Sequence, residues 1–413
     1  MASTVALSLT KWTLDVGTRL IQSDVRLHNH QAIEDDMAII FVVNHFTRLE
    51  TLLLPYTLHK HTGREVWSLA SAGLFKGRVG DFLRSTGTVS TKDPDRDTII
   101  VKTLLNGAHP WIIFPEGQMI KDKKVLNYKG EFEVYNDGHR RPPHTGAAVL
   151  ALRAEFYRHK LECLRDRPGQ EGLGDALARF DLKGPDEVFK KRTVIVPVNV
   201  TYFPIRARDN AFVRLAKAFS KDLSKRALEE LSVEGTVLGE DTDIDVTLGQ
   251  PIDVREYLNA PEYAEFMACG LNDMQALEED PASVFNDAAR KLMLRYMDQI
   301  YQQTTVNYDH LFSTVLKYQE EQVFSDRSFR NRVFLLANAL EEAGHYRLHD
   351  ILRKTYRDLI FEDPSQKFND FMSICVREGL LQQEGARFVR GILYQLRSLI
   401  SPRGCIFISM ADT

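Results

Sequence analysis

The chain has 413 residues, 44% of them hydrophobic and 27% charged, with a net charge of −4 at pH 7. That length exceeds one core of ordinary size, so two domains are expected, and the charge balance gives no reason to expect a nucleic-acid partner. No run approaches the roughly 18 consecutive apolar residues of a spanning helix, so any membrane contact is expected from one side only.

In chain order, the first segment carries Leu7, Leu9, Trp12, Leu14, Val16 and Leu20. It is assigned to an N-terminal helix over 1–27, either interfacial or packed on the core, and it lacks the basic leader and long apolar stretch of a secretion signal. His28 and His30 have no nearby acid or cysteine suited to a metal and are expected at the surface. Apolar or alternating runs at 38–43, 65–70, 87–91, 111–114, 193–200 and 243–248 predict strands, and segments of helical period at 48–61, 96–106 and 145–161 predict helices between them. Such alternation predicts an α/β layer, a mixed sheet flanked by helices, over residues 1–255. The Gly-, Pro- and charge-rich stretch over 163–192 is expected as a surface insertion. After about residue 255 the pattern turns helical. Asp280 is a candidate N-cap and Pro281 a first helical residue, with Phe285, Ala289, Leu292, Tyr296 and Ile300 on one face. Further helices are predicted near 308–322, 326–343, 345–360, 365–378 and 385–400, giving an all-α C-terminal domain over 256–413.

The four cysteines, Cys163, Cys269, Cys375 and Cys405, form no C-x-x-C or Cys/His cluster of metal-ligand spacing. A reducing, cytoplasmic compartment is expected from this, and no metal site.

The stretch IIFVVNHFTRLE, residues 39–50, ends an apolar run on Asn44 and His45 and places Glu50 five positions further on. With a helix starting at Thr47, Glu50 lies about one turn along it and folds back on the ring. An acid that accepts the proton of one ring nitrogen fixes the tautomer and leaves the other free to take a proton. Alone, such a pair is commonplace. Three further segments accompany it: GDFLRSTGTVSTKD with Gly80, Arg84, Gly87 and Lys92; WIIFPEGQMIKDKK with Phe114, Pro115, Glu116 and Gly117; and TVIVPVNVTYFPIR, an apolar strand interrupted by Pro197.

Together the four blocks resemble the glycerolipid acyltransferase superfamily over roughly residues 35–255, closest to the glycerol-3-phosphate acyltransferases. The resemblance implies that His45 is the general base for an acceptor hydroxyl and Glu50 its orienting acid, standing where the family carries Asp. It implies that Glu116 and Gly117 lie beside the acceptor. The family's Arg-Ser-Arg after that glycine is missing, since Gln118, Met119, Ile120 and Lys121 stand there instead, so the resemblance leaves Lys121, with Lys92 and Arg84, as the phosphate-facing cations. Gly73 and Gly117 are candidate positions for oxyanion donors. The implied activity is transfer of a fatty acyl group from an acyl thioester, acyl-CoA or acyl carrier protein, to glycerol-3-phosphate or a lysophospholipid. It needs no other cofactor.

For docking on an anionic membrane face, residues 205–226 offer seven basic residues against two aspartates, interleaved with Phe212, Val213, Leu215 and Phe219. A peripheral location on the cytoplasmic face is therefore expected. Two alternatives stand beside this reading: another lyso-lipid or hydroxyl acceptor, and a catalytically degenerate lipid-binding scaffold.

Overall fold

The computed structural model describes residues 25–47, 49–75, 77–120, 125–127, 129–136, 139–203, 242–361, 365–385 and 387–391. Residues 1–24 of the expected N-terminal helix, the basic stretch at 205–226 and Lys121 lie outside the described residues, and Val25–Leu27, expected as the end of that helix, belong to a strand that pairs with a partner far along the chain. The chain forms two compact units, one of Met1–Met119 with Arg140–Gln302, the other of Ile120–His139 with Gln303–Thr413. The compositional change at about 255 thus precedes the end of the first unit, which extends to Gln302.

The first unit is built on an eight-stranded mixed sheet. In chain order its elements are β1 (Val25–His28), β2 (Met37–Val43), α1 (Glu50–Thr62), β3 (Trp67–Ala70), α2 (Gly77–Ser85), β4 (Thr88–Ser90), α3 (Arg96–Asn106), β5 (Trp111–Ile113), α4 (Gly146–Arg165), α5 (Leu173–Arg179), α6 (Pro185–Phe189), β6 (Arg192–Phe203), β7 (Asp243–Leu248), β8 (Ile252–Asp253) and α7 (Asn286–Gln302). The strand order is β1-β7-β6-β2-β5-β3-β4, with β8 beside β6. β2, β5, β3 and β4 run parallel, as does β6 with β2, whereas β7 and β8 are antiparallel to β6. All seven residues of β2 are buried. A parallel strand covered on both faces needs such an unbroken apolar run.

Pro197 breaks the apolar run of β6 without breaking the strand. The outer partner of β6 is β8 at Val194 and Ile195 and becomes β7 from Val198 onward, so the residue without an N–H falls where one outer partner gives way to the other.

A buried ionic cluster fixes the helices. Arg158 on α4 donates to the carbonyls of Leu104 and Leu105 at the end of α3, both at 2.8 Å, and to Val188 of α6 at 2.6 Å, and it pairs with Glu155 at 3.1 Å. Glu155 also accepts the Thr193 N–H of β6 and pairs with Arg255. The stretch expected as a surface insertion contains α5 and α6, which bury Leu173, Ala176, Leu177 and Val188. Asp280 caps, but it caps a single 3₁₀ turn, Pro281–Ser283, and α7 follows with Ala289, Leu292, Tyr296 and Ile300 buried as the period requires.

Sequence spacing did not reveal one covalent link. Cys163 on α4 is joined to Cys269 by a disulfide across 106 residues, and His159, one turn before Cys163, lies with them. Residues four apart on a helix share a face, and the fold brings Cys269 to that face. A disulfide is characteristic of oxidising compartments, so this pair does not fit the expectation of a reducing one. Cys375 is buried and lies outside this disulfide.

From Gln303 on, the described residues of the second unit form helices and a three-stranded sheet: α8 (Tyr308–Lys317), β9 (Val323–Ser325), α9 (Asp326–Ala343), α10 (Asp350–Thr355), α11 (Gln366–Arg377), β10 (Leu381–Glu384) and β11 (Arg387–Arg390). Asn307, Ser325 and Ser365 cap α8, α9 and α11 through their side chains. Phe312 lies at the centre of the core, its ring 5.1 Å from Phe371 and 5.8 Å from Phe368. The helix predicted near 385–400 is replaced at its start by β11, which pairs antiparallel with β9 and β10. Gly385 at φ +61° stands between β10 and β11.

Candidate active site

Parallel strands place their carboxyl ends at one edge of a sheet, the edge where α/β layers bind ligands. β2 ends at Val43 and β5, its neighbour, at Ile113, so Asn44-His45 and Phe114-Pro115-Glu116-Gly117 leave the sheet side by side. Asn44 fixes the exit. Its side chain accepts from the N–H of Val200 at 2.7 Å and donates to the carbonyl of the same residue at 3.1 Å, extending the β2–β6 pairing by side chain. His45 is thereby held at the rim.

The histidine meets Glu50 with Nδ1 at 2.8 Å from Oε2. The helix that carries Glu50 starts at Glu50 itself rather than at Thr47. The carboxylate therefore bends back over the turn that precedes the helix and accepts the N–H groups of Phe46 (2.9 Å) and Thr47 (3.1 Å). The Tyr202 hydroxyl of β6 donates to Oε1 at 3.0 Å. Glu50 is fully buried, and four neutral groups direct protons at its two oxygens. With Glu50 accepting the Nδ1 proton, the lone pair of the ring is left on Nε2. Nε2 has no protein partner among the described residues, and the side chain keeps 16% of its surface exposed. The ring is steadied by stacking on Phe114, with centroids 4.2 Å apart.

Glu116 belongs to the same constellation. It is fully buried, its Oε2 accepts the backbone N–H of His45 at 2.8 Å, and Tyr301 of α7 donates its hydroxyl to Oε1. Gly117 has φ +67°, and its N–H donates to the Phe114 carbonyl at 3.0 Å. That N–H is thus committed to the turn and is not a spare oxyanion donor. A side chain here would collide with the His144 ring, 2.6 Å from the position of a Cβ.

His45, Glu50, Glu116 and Gly117 are therefore brought together, by direct hydrogen bonds or chain adjacency. Among the described residues, no hydrogen bond or ion pair joins Arg84 or Lys92 to them. Arg84 is exposed on α2 and pairs with Asp81 at 3.1 Å. Lys92 is exposed just past β4, three strands from β2, or roughly 14 Å at the usual strand spacing. His28, expected bare at the surface, is half-buried and reaches Asp245 at 2.7 Å, an acid supplied by the β7 partner strand. Asn44, Tyr202 and Tyr301 were not marked as site residues in the sequence. Asn44 stands inside the quoted block, but Tyr202 and Tyr301 are 152 and 185 residues from the carboxylates they contact.

Residues 24–200 match the Acyltransferase family. No curated protein matches the chain. Among solved structures, the chain is similar to the 1-acyl-sn-glycerophosphate (LPA) acyltransferase PlsC of Thermotoga maritima, at 13% identity over 67% of this chain and 78% of that one, with a TM-score of 0.27. The segment matched to that family contains His45, Glu50, Glu116 and Gly117.

Proposed function

We propose that the protein is an acyl-thioester-dependent O-acyltransferase that esterifies a hydroxyl of glycerol-3-phosphate or of a lysophospholipid, working at a membrane surface without spanning it. The observation that carries this reading is the His45–Glu50 pair, 2.8 Å apart with Nε2 unpartnered, inside the family-matched segment. Nε2 takes the hydroxyl proton as the acceptor oxygen attacks the thioester carbonyl. Glu50 stabilises the imidazolium that forms. Collapse of the tetrahedral oxyanion forms the ester and expels the thiolate, to which the imidazolium returns its proton. Glu116 holds the His45 backbone in place through its N–H. The donor is acyl-CoA or acyl carrier protein, and no covalent enzyme intermediate is needed.

No described helix is long and apolar enough to cross a membrane, which agrees with peripheral attachment. A cytoplasmic face is proposed with it, and the redox state of Cys163 and Cys269 in protein taken from cells tests that: free thiols fit, a disulfide does not. The activity is tested with labelled long-chain acyl-CoA and a panel of acceptors. Parent protein should form ester, and His45→Ala should lose about 10²–10⁴ of the rate. Equal rates in parent and variant would remove His45 from the mechanism, and thioester binding with no turnover on any acceptor would favour a lipid-binding scaffold.

A further inference from the structure

The anionic end of an acceptor needs a cation near Glu116, and Gln118, Met119 and Ile120, directly after Gly117, supply none. A different segment reaches that place. Arg141, just before α4, donates through Nη2 to the Glu116 carbonyl at 2.7 Å and through Nη1 to the Pro142 carbonyl at 3.2 Å. Two of its five N–H donors are thus used to aim the guanidinium, and three remain. No carboxylate pairs with it among the described residues. His144 meets the same glycine. Its backbone is held at both ends, the N–H donating to the Pro115 carbonyl at 2.8 Å and the carbonyl accepting the Tyr296 hydroxyl at 3.0 Å. Neither nitrogen of its ring has a protein partner among the described residues.

The absence of a side chain at Gly117 lets the two approach. A Cβ there would lie 2.6 Å from the His144 ring and 3.2 Å from Arg141 Nη2.

We propose that Arg141 and His144, packed against Gly117, form the seat for the phosphate monoester of the acceptor. This deepens the acyl-transfer reading and rests on it for the word acceptor. A guanidinium fixed by neutral carbonyls, partly withdrawn from water and without a counter-charge, is costly to hold unless an anion completes it. Its planar fork matches two phosphate oxygens. Burial lowers the Arg141 pKa with no acid to offset it, and burial followed by the Arg141 charge lowers that of His144. His144 therefore serves as a neutral N–H donor at pH 7. The seat adjoins Glu116, whose carbonyl accepts from Arg141 and whose side chain holds the His45 N–H.

The test uses the full chain. Calorimetric titration with inorganic phosphate and with sn-glycerol 3-phosphate compares the parent with Arg141→Gln, Arg141→Lys, His144→Gln and His45→Ala. Turnover is then measured with labelled oleoyl-CoA on three acceptors: sn-glycerol 3-phosphate in solution, 1-oleoyl lysophosphatidate in phosphatidylcholine vesicles, and monooleoylglycerol in the same vesicles. Arg141→Gln should weaken phosphate-ester binding and raise the acceptor KM by about 10- to 100-fold. The oleoyl-CoA KM and the kcat should stay within a few-fold, Arg141→Lys should recover part of the loss, and His45→Ala should still bind. Whichever phosphate acceptor suffers the loss identifies the source, soluble or lipid.

Unchanged binding in a folded Arg141→Gln overturns the seat. So does a rise in the oleoyl-CoA KM in place of the acceptor KM, or equal use of monooleoylglycerol by parent and variant with no preference for the phosphate esters; transfer itself survives these results. A parent inactive on every acceptor that still binds glycerol 3-phosphate through Arg141 supports the seat and removes the transfer reading instead.

Discussion

Glu50 and Glu155 are both buried carboxylates of the first unit, 0% and 1% exposed, yet they are satisfied by opposite means. Glu155 is held by two guanidinium groups, Arg158 and Arg255, and by one backbone N–H. Burial pushes its pKa up, the arginines outweigh that, and the net effect is below the usual carboxylate value. Glu50 is held by two backbone N–H groups, a phenol and an imidazole, with no arginine or lysine among its described partners. A carboxylate neutralised by fixed cations has no charge left to offer, and serves to lock helices to the sheet. One held by neutral donors is aimed at the imidazole of His45. The contrast separates a cluster paired by fixed cations from one built on neutral donors.

The contrast breaks first at the largest effects. Arg158→Ala removes one of the two cations on Glu155 and strips the buried carbonyls of Leu104, Leu105 and Val188 of their donor, and should cost about 3–5 kcal/mol in denaturant unfolding. His45→Ala leaves Glu50 three of its four donors, so its unfolding free energy should move by no more than about 1.5 kcal/mol, while turnover falls as stated above. Comparable stability losses in the two variants would show that both clusters are structural. A middle-sized effect is expected where the glutamate replaces the family's aspartate. The additional methylene lets one carboxylate span from His45 to the Tyr202 hydroxyl, so Tyr202→Phe and Glu50→Asp should each slow turnover about tenfold. Their double mutant should be little worse than either alone, because both remove the same contact; additive losses would deny the link.

The smallest effect is on pH. Glu155 has a folded pKa below its unfolded value of 4.5, so its contribution is fully present above that pH and is lost as pH falls through the folded value. Stability curves of Glu155→Gln should therefore be flatter on the acid side than those of the parent. An unchanged acid limb would mean that the arginines do not govern this carboxylate.

Much of the fold was legible because it is written in local pattern. The apolar runs locate β2, β5, β6 and β7, α3 and α9 begin and end where the period places them, and a hydrophobic face repeated every 3.6 residues gave α7 its buried residues. Legibility failed where local signals conflict. The stretch at 163–192 has the composition of a loop, but Leu173, Leu177 and Val188 find a core to enter, and tertiary burial outweighs weak propensity. Residues 387–390 were assigned to a helix and form a strand, because a partner strand more than sixty residues earlier was waiting for them.

The sequence by itself determined that His45 and Glu50 lie within reach of one another, since only five residues across one turn separate them. It also determined that Glu116 and Gly117 follow a buried strand. Only the tertiary structure decided which strand lies beside which, and so brought Glu116 beneath the His45 N–H, Tyr202 onto Glu50, Tyr301 onto Glu116 and Arg141 onto Gly117. Contacts between residues far apart in the chain depend on strand order and helix packing, and those are set by how the whole core excludes water rather than by any single segment.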